Sequence, residues 1–156
     1  MRTRCMIPVA LGKSRHPMQP TTLLPIRLRP ELSELEQLVG YVESFANRQD
    51  LSPADANVLA LAAEELFVNT ATHSNPPANW VEYSLARCGD SVVATYSDDA
   101  QPYDPTQQEE PDTTLPVEAR PIGGLGIHFI RKTMQSFHYA RIDGRNVVTL
   151  TRRLVR

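Results

Sequence analysis

The sequence predicts an α+β fold, a two-layer sandwich in which helices cover one face of a mixed or antiparallel sheet. Three observations support this class. The predicted elements follow the order β-α-α-β-β-loop-α-β-β, strands occur in pairs joined by short turns, and two long stretches carry apolar residues at helical spacing. The chain has 156 residues, which is enough for one domain with a substantial hydrophobic core.

The N-terminal segment differs from the rest of the chain. Its apolar run is short for a signal peptide and is interrupted by Pro8. We expect residues 1–21 to form a flexible tail and residues 22–156 to form a single domain. Alternation over residues 21–28 predicts a strand, which Pro25 would confine to a sheet edge or a strand end.

Two helices are predicted next. Pro30 opens a helical pattern that runs to about Arg48. Ser52 before Pro53 is typical of a helix start, since serine caps the first turn and proline suits the first helical position. This second helix should run to about His73, where consecutive prolines stop it.

The remaining strands are predicted in pairs. Residues 80–87 and 91–97 form one pair, joined by a tight glycine-containing turn. Residues 137–142 and 145–153 form a closing hairpin around the turn at Asp143-Gly144.

A long loop and a third helix lie between these pairs. Residues 102–121 hold five of the thirteen prolines and show no periodicity. A loop of this length within a compact domain is usually functional, for example as a lid, or disordered. The third helix is predicted over about residues 127–136.

Composition excludes some classes of function. A formal net charge of −2 gives no case for nucleic acid as the main partner. No apolar run approaches the roughly 20 residues of a membrane-spanning helix. Cys5 and Cys88 have no metal-ligand spacing. We therefore expect a cytoplasmic protein that contacts neither membrane nor nucleic acid directly.

The second predicted helix carries an unusual polar row. Glu65, Asn69 and His73 are each four positions apart and lie on one helical face, which also holds Val58, Ala62 and Leu66. Burying a carboxylate or an amide without partners costs on the order of several kcal/mol. A bound ion or ligand would offset that cost.

An alternative reading of this helix is equally consistent with its periodicity. Leu59, Ala63 and Phe67 form a second apolar strip, and Glu65 with Asn69 could then be an ordinary solvated pair.

Two further segments suit a nucleotide. Asp98 follows a predicted strand, where a carboxylate can accept a hydrogen bond from the exocyclic amine of a purine, although taken alone an acidic turn is the commoner explanation. The glycine tetrad, defined as Gly123-Gly124-Leu125-Gly126, opens a helix, and both backbone N–H groups and a helix N-terminus attract phosphate. The tetrad lacks the ending of a P-loop and does not follow a strand, so neither the P-loop nor the dinucleotide-binding pattern applies.

Taken in order, these segments resemble the N, G1 and G2 boxes of the GHKL (Bergerat-fold) ATPases, and above all their anti-sigma-factor serine/threonine kinase branch. The resemblance covers roughly residues 22–154. The segments that carry it are Glu64 to Asn69 with His73, Asp98 to Pro105, Gly123 to Ile127 and, in the closing hairpin, Tyr139 to Leu150.

The resemblance implies specific roles on the helix and after the strand. Asn69 would be an oxygen ligand of the Mg²⁺ that bridges the ATP phosphates. Glu65 would be the general base that takes the proton of an attacking serine hydroxyl. Asp98 would read the adenine amine.

The resemblance also assigns the nucleotide-binding loops. The glycine tetrad would contact ATP, with Gly124 and Gly126 presenting backbone N–H groups to the phosphates, and residues 106–122 would be the lid. Ala100 departs from the pattern, because the G1 box normally has glycine there; its methyl group is expected to weaken nucleotide binding without abolishing it.

Two hypotheses for function follow. The first is a kinase that phosphorylates a small anti-anti-sigma (STAS-type) partner and regulates a sigma factor by partner switching. The second is a nucleotide-gated or nucleotide-free protein-binding module without kinase activity. The first predicted helix is apolar over much of its length, so it could support a homodimer as well as a core.

Overall fold

Six strands form one antiparallel sheet in the computed structural model, which describes residues 21–109 and 125–155 of the chain. The strand order is β1-β3-β4-β6-β5, and β2 pairs with β3 beside β1. All of these pairs are antiparallel. The strands are β1 (Thr21–Thr22), β2 (Ile26–Leu28), β3 (Val81–Cys88), β4 (Ser91–Asp98), β5 (Ser136–Ile142) and β6 (Arg145–Arg153).

Three α-helices form the second layer. They are α1 (Leu35–Arg48), α2 (Pro53–His73) and α3 (Leu125–Thr133), and short 3₁₀ turns occupy Leu32–Glu34 and Pro105–Gln107. The hydrophobic core lies between these helices and one face of the sheet, and includes Phe45 of α1, Phe67 of α2 and Tyr83 of β3. The predicted α+β sandwich is confirmed, with an antiparallel sheet.

None of the helices in the described part of the chain has the length and apolar character that a membrane crossing requires.

The start of α2 follows from its local sequence. The Ser52 hydroxyl accepts a hydrogen bond from the backbone N–H of Asp55 at 3.1 Å, and Pro53 occupies the first helical position. At the other end, the Ser74 hydroxyl donates to the Thr70 carbonyl oxygen at 2.6 Å. The predicted boundaries of this helix are confirmed.

Three other boundaries differ from the prediction. The strand predicted over residues 21–28 is divided into β1 and β2, since residues 23–25 leave the strand at Pro25, which has no N–H for pairing. The first helix begins at Leu35, after the 3₁₀ turn. The third helix ends at Thr133, because the Gln135 backbone N–H already donates to the Thr151 carbonyl oxygen of the sheet.

The closing hairpin positions a polar residue beside the end of β4. Asp143 and Gly144 have φ values of 49° and 74°, and positive φ at both positions is the type I′ geometry that suits a two-residue hairpin. The resulting register places Asn146 of β6 directly opposite Asp98 of β4.

Residue 21, which we expected to end the N-terminal tail, pairs with Arg87 as part of β1. Residues 1–20 lie outside the described residues, and so does most of the predicted lid, from residue 110 to residue 122.

Candidate functional site

A cavity of about 390 Å³ lies between the C-terminal half of α2, the ends of β4 and β6, and the chain that follows β4. Three of the residues predicted from the sequence line it, namely Asn69, Asp98 and Ala100. The fold therefore brings a residue of the predicted second helix and the predicted aspartate turn to one concave surface, which is where small-molecule sites usually occur.

Asp98 is buried at the base of this cavity and is held by three hydrogen bonds. It is 5% exposed. Its Oδ1 accepts from the Ala100 backbone N–H at 3.0 Å and from Asn146 Nδ2 at 2.8 Å. Its Oδ2 accepts from Thr70 Oγ1 at 3.2 Å. A carboxylate offers about four lone-pair positions, so one remains available on Oδ2.

Tyr96 and Thr70 support this arrangement from the helix side. The Tyr96 hydroxyl donates to Thr70 Oγ1 at 2.7 Å, and both residues are buried. Burial raises the pKa of Tyr96 well above its ordinary value. The phenol therefore stays neutral and remains a donor.

The polar row of α2 lies at the margin of its core face. The second apolar strip, Leu59, Ala63 and Phe67, is fully buried. Ala62 and Leu66 of the first strip are buried as well, and so is Thr70. Glu65 and Asn69 are half-buried beside this face. They are not a solvated pair, because Asn69 faces the cavity and Glu65 packs against α3.

His73, the last residue of α2, is exposed and lines the cavity.

Glu65 lies against the first turn of α3, where Gly126 makes room for it. A Cβ atom added at Gly126 would lie 1.8 Å from Glu65 Oε2, so only glycine fits this position. Burial raises the pKa of the Glu65 carboxyl, and the neighbouring charge of Glu64 raises it further. A carboxylate with a raised pKa is suited to accept a proton near neutral pH.

The glycine tetrad is only partly described. Leu125 and Gly126 form the first turn of α3, and Leu125 is 52% exposed; neither is among the residues that line the cavity. Gly123 and Gly124 lie outside the described residues.

Ala100 adopts a backbone conformation that does not require glycine. Within residues 21–109 and 125–155, the non-glycine residues with positive φ are Asp50 and Asp143. Ala100 is 8% exposed and contributes to the cavity wall. Its effect on a ligand is therefore limited to the space that its methyl group occupies.

Asn69 is suited to hold magnesium together with a ligand. Its amide oxygen is a hard donor, and its side chain has no hydrogen bond to another described residue that would compete. The described residues contain no group of three His, Cys, Asp or Glu side chains placed to hold a metal ion. A single amide oxygen is compatible with Mg²⁺, which commonly binds through few protein ligands.

Sequence reasoning missed Asn146, which is buried and lines the cavity. A signal for it existed. Val148 and Leu150 alternate with outward residues along β6 and face the core, and Asn146 continues the same row. A polar residue in an inward row that leads towards Asp98 indicates a buried hydrogen-bond partner.

Comparison with known proteins supports this description. A family model described as a histidine kinase-like ATPase domain matches residues 28–152. The serine/threonine-protein kinase BtrW of Bordetella bronchiseptica is 29% identical over 113 residues, which cover 71% of this chain and 80% of that protein.

A solved structure shows the same fold. The RsbU and RsbW domains of Rv1364c from Mycobacterium tuberculosis match with a TM-score of 0.55 at 15% sequence identity. The match covers 86% of this chain and 33% of that one, so this chain spans about a third of the length of that protein.

The match to the family model runs from the last residue of β2 to the penultimate residue of β6 and includes Asn69, Asp98 and Ala100. The resemblance recognised in the sequence is thereby confirmed at the level of the family. The chain belongs to the family of histidine kinase-like ATPase domains.

Proposed function

We propose that this protein is an ATP-binding serine/threonine protein kinase of the anti-sigma-factor type. The observation that carries the proposal is that Asn69 and Asp98 share one cavity while Glu65, one helical turn from Asn69, lies against Gly126. The proposed adenine-binding residue and the proposed magnesium ligand therefore line one cavity. The proposed base lies on α2, one helical turn before the proposed magnesium ligand.

Each of these residues has a distinct role in the proposal. Asp98 accepts a hydrogen bond from the adenine amine through the free position on Oδ2. Asn69 holds magnesium, which neutralises charge on the phosphates when it is bound. The glycine tetrad, including Gly123 and Gly124, contributes backbone N–H groups to the phosphates, and the segment that precedes it covers the nucleotide.

Glu65 moves the proton in the proposed reaction. It accepts the hydroxyl proton of a serine as the serine oxygen forms a bond to the γ-phosphorus. The bond between that phosphorus and the β,γ-bridging oxygen breaks, and ADP leaves. The raised pKa of Glu65 favours this role, since a stronger base takes the proton of an alcohol more readily.

The proposed partner is a small STAS-type anti-anti-sigma protein, whose phosphorylation controls a sigma factor. The name of the Bordetella relative, a serine/threonine-protein kinase, supports protein as the substrate class. A role at a sigma factor requires a cytoplasmic location. A homodimer through α1 belongs to the same proposal and is tested by sedimentation of the purified chain.

Phosphotransfer to a candidate partner tests the kinase. With Mg-ATP labelled at the γ-phosphate, the wild-type protein should label a serine of a STAS-type protein, and Glu65→Gln should reduce the rate by about 100-fold or more, as loss of a general base does. Glu64→Gln is the matched control, because it removes the adjacent charge and leaves the base in place. Equal rates for wild type and Glu65→Gln would rule out the proposed base.

The second candidate function is a nucleotide-gated binding module without phosphotransfer. The Ala100 methyl group in the cavity wall favours it, because this group narrows the space where the G1 box normally has glycine. Such a protein would bind Mg-ATP and change its affinity for a partner, but leave no phosphoserine.

Calorimetry separates nucleotide binding from scaffolding. ATP should bind at least about tenfold more tightly with Mg²⁺ than without it, and Asn69→Ala should remove most of this difference, since the ion would lose its protein ligand. Asn57→Ala, at an exposed position of the same helix, is the control and should leave the difference unchanged. Wild-type protein that shows no heat of binding would indicate a scaffold.

A further inference from the structure

Asn146 lines the cavity and is held by several side-chain hydrogen bonds, and the proposed function gives it no role. It is 4% exposed and lies directly across from Asp98 in the pairing of β4 with β6. Its amide makes five hydrogen bonds with other residues.

The surroundings fix the orientation of this amide. Asn146 Oδ1 accepts from the Tyr103 backbone N–H at 3.1 Å, from the Tyr139 hydroxyl at 2.9 Å and from Arg141 Nη1 at 2.9 Å. A backbone N–H and a guanidinium can only donate, so the amide oxygen must face them.

The amide nitrogen faces groups that can only accept. Asn146 Nδ2 donates to Asp98 Oδ1 at 2.8 Å and to the Gln101 carbonyl oxygen at 2.9 Å. A flipped amide would turn its oxygen towards both acceptors, so one orientation alone satisfies this site.

The hydrogen bond from this amide determines which acceptor position of the Asp98 carboxylate is left for a ligand. The Ala100 N–H and Asn146 Nδ2 together fill Oδ1, which leaves the free acceptor position on Oδ2 next to Thr70. A 6-amino group can donate to that position. A 6-oxo group would instead bring a lone pair against a buried carboxylate, which is unfavourable.

The same amide also holds the cavity wall. Through Gln101 and Tyr103 it fixes the chain that follows β4, and Arg141 Nη1 adds a hydrogen bond to the Ala100 carbonyl oxygen at 2.8 Å. One side chain, Asn146, therefore positions both the Asp98 carboxylate and the segment after β4 that lines the cavity.

We propose that Asn146 is a positioning residue for base recognition, which makes the cavity selective for a 6-aminopurine by holding Asp98 in a single hydrogen-bonded orientation. This inference rests on the proposed nucleotide binding and extends it to base specificity.

The test compares ATP with the purine riboside triphosphate in which hydrogen replaces the 6-amino group. Both are titrated by calorimetry in the presence of Mg²⁺. Wild type should prefer ATP by about tenfold, as expected for one hydrogen bond to a charged acceptor. Asn146→Asp sets an oxygen against the Asp98 carboxylate, and its preference should fall to within about twofold.

Two further variants keep the result interpretable. Asn47→Asp makes the same chemical change at an exposed position of α1 and should retain the wild-type preference. If Asn146→Asp does not fold, as judged by its thermal transition, Asn146→Ser replaces it and should show the same loss of preference.

The ratio of the two affinities separates the possible outcomes. A purely structural role for Asn146 would weaken both nucleotides equally and keep the tenfold ratio, which would overturn this inference alone. Wild-type protein that binds ATP without preference would also overturn it. Wild-type protein that binds neither nucleotide would overturn the proposed function as well.

Discussion

At the scale of single residues, the pKa values of two carboxyl groups, Glu65 and Asp99, are shifted in opposite directions. Burial raises the pKa of Glu65, and the nearby charge of Glu64 adds to the effect. Burial also acts to raise the pKa of Asp99, but hydrogen bonds from the Asn79 side chain and from the Asn79 and Trp80 backbone N–H groups outweigh it and hold this pKa below its ordinary value. The charge of Asp99 is compensated within the fold, whereas the charge of Glu65 is not.

Glu65→Gln is expected to stabilise the protein at pH 7. A carboxyl whose folded pKa is raised contributes stability below its unfolded pKa and loses it as the pH rises through the folded value. Glutamine keeps the shape without the charge, so the variant should melt at the wild-type temperature near pH 4 and at a higher temperature near pH 7.

Thermal unfolding followed by circular dichroism at both pH values measures this difference. Glu43→Gln, at an exposed position of α1, is the control and should show no such pH-dependent gain. A Glu65→Gln variant that melts below wild type at pH 7 would contradict the raised pKa. A stabilised but inactive variant would show that Glu65 is retained for chemistry at the expense of stability.

At the scale of elements, the same substitution should have opposite effects in a turn and in a helix. Gly144 has a φ of 74° in the turn between β5 and β6, and a Cβ atom there would meet nothing within 4 Å. The cost of Gly144→Ala is therefore conformational and should be about 1 kcal/mol. Gly40→Ala in α1 also has open space and should stabilise by about 1 kcal/mol, since alanine favours the helix.

Urea unfolding of the two variants checks these signs against each other. Because both substitutions add one methyl group in open space, a common effect on hydration or packing would move both in the same direction. Stabilisation by both substitutions would contradict the positive φ of Gly144, and destabilisation by both would contradict the expected gain in helix propensity at Gly40.

At the scale of the whole molecule, an ion pair connects the start of α2 to the end of the chain. Asp55 is 1% exposed, and its Oδ1 lies 2.9 Å from Arg152 Nη2. The Val155 backbone N–H donates to Asp55 Oδ2 at 3.2 Å, and the Ser52 hydroxyl donates to the same oxygen at 2.8 Å. Burial acts to raise the pKa of Asp55, but these partners outweigh it and lower the pKa below its ordinary value.

Asp55→Ala should lower the free energy of unfolding by about 3 kcal/mol, because it leaves the guanidinium of Arg152 without its buried partner. Arg29→Ala, which removes an exposed arginine that pairs with Glu31 and Glu34, is the control and should cost less than about 1 kcal/mol. Guanidinium chloride titration measures both. Similar losses in the two variants would show that the buried pair has no special importance for the fold.

The stability contributed by Asp55 should also depend on pH. A lowered folded pKa gives stability that is present above the unfolded pKa and is lost as the pH falls through the folded value. The difference between wild type and Asp55→Ala should therefore shrink at pH values below about 4.

Local signals in the sequence determined most of the fold. The cap at Ser52, the proline at Pro53 and the turn at Asp143-Gly144 act within a few residues, so their effects can be recognised without coordinates. The sequence predicts that Pro25 limits the first strand. The division of that strand into β1 and β2 depends on how both pair with β3. The order of elements then favoured an antiparallel sheet with helices on one face.

The sequence by itself determined the secondary-structure elements and, through resemblance to a family, the candidate site residues. Only the tertiary structure decided how they meet. Asp98 and Asn146 are 48 positions apart, and their contact depends on the register between β4 and β6. Glu65 reaches Gly126 only because α2 packs beside α3. Contacts of this kind depend on packing between distant segments, which periodicity and turn chemistry do not encode.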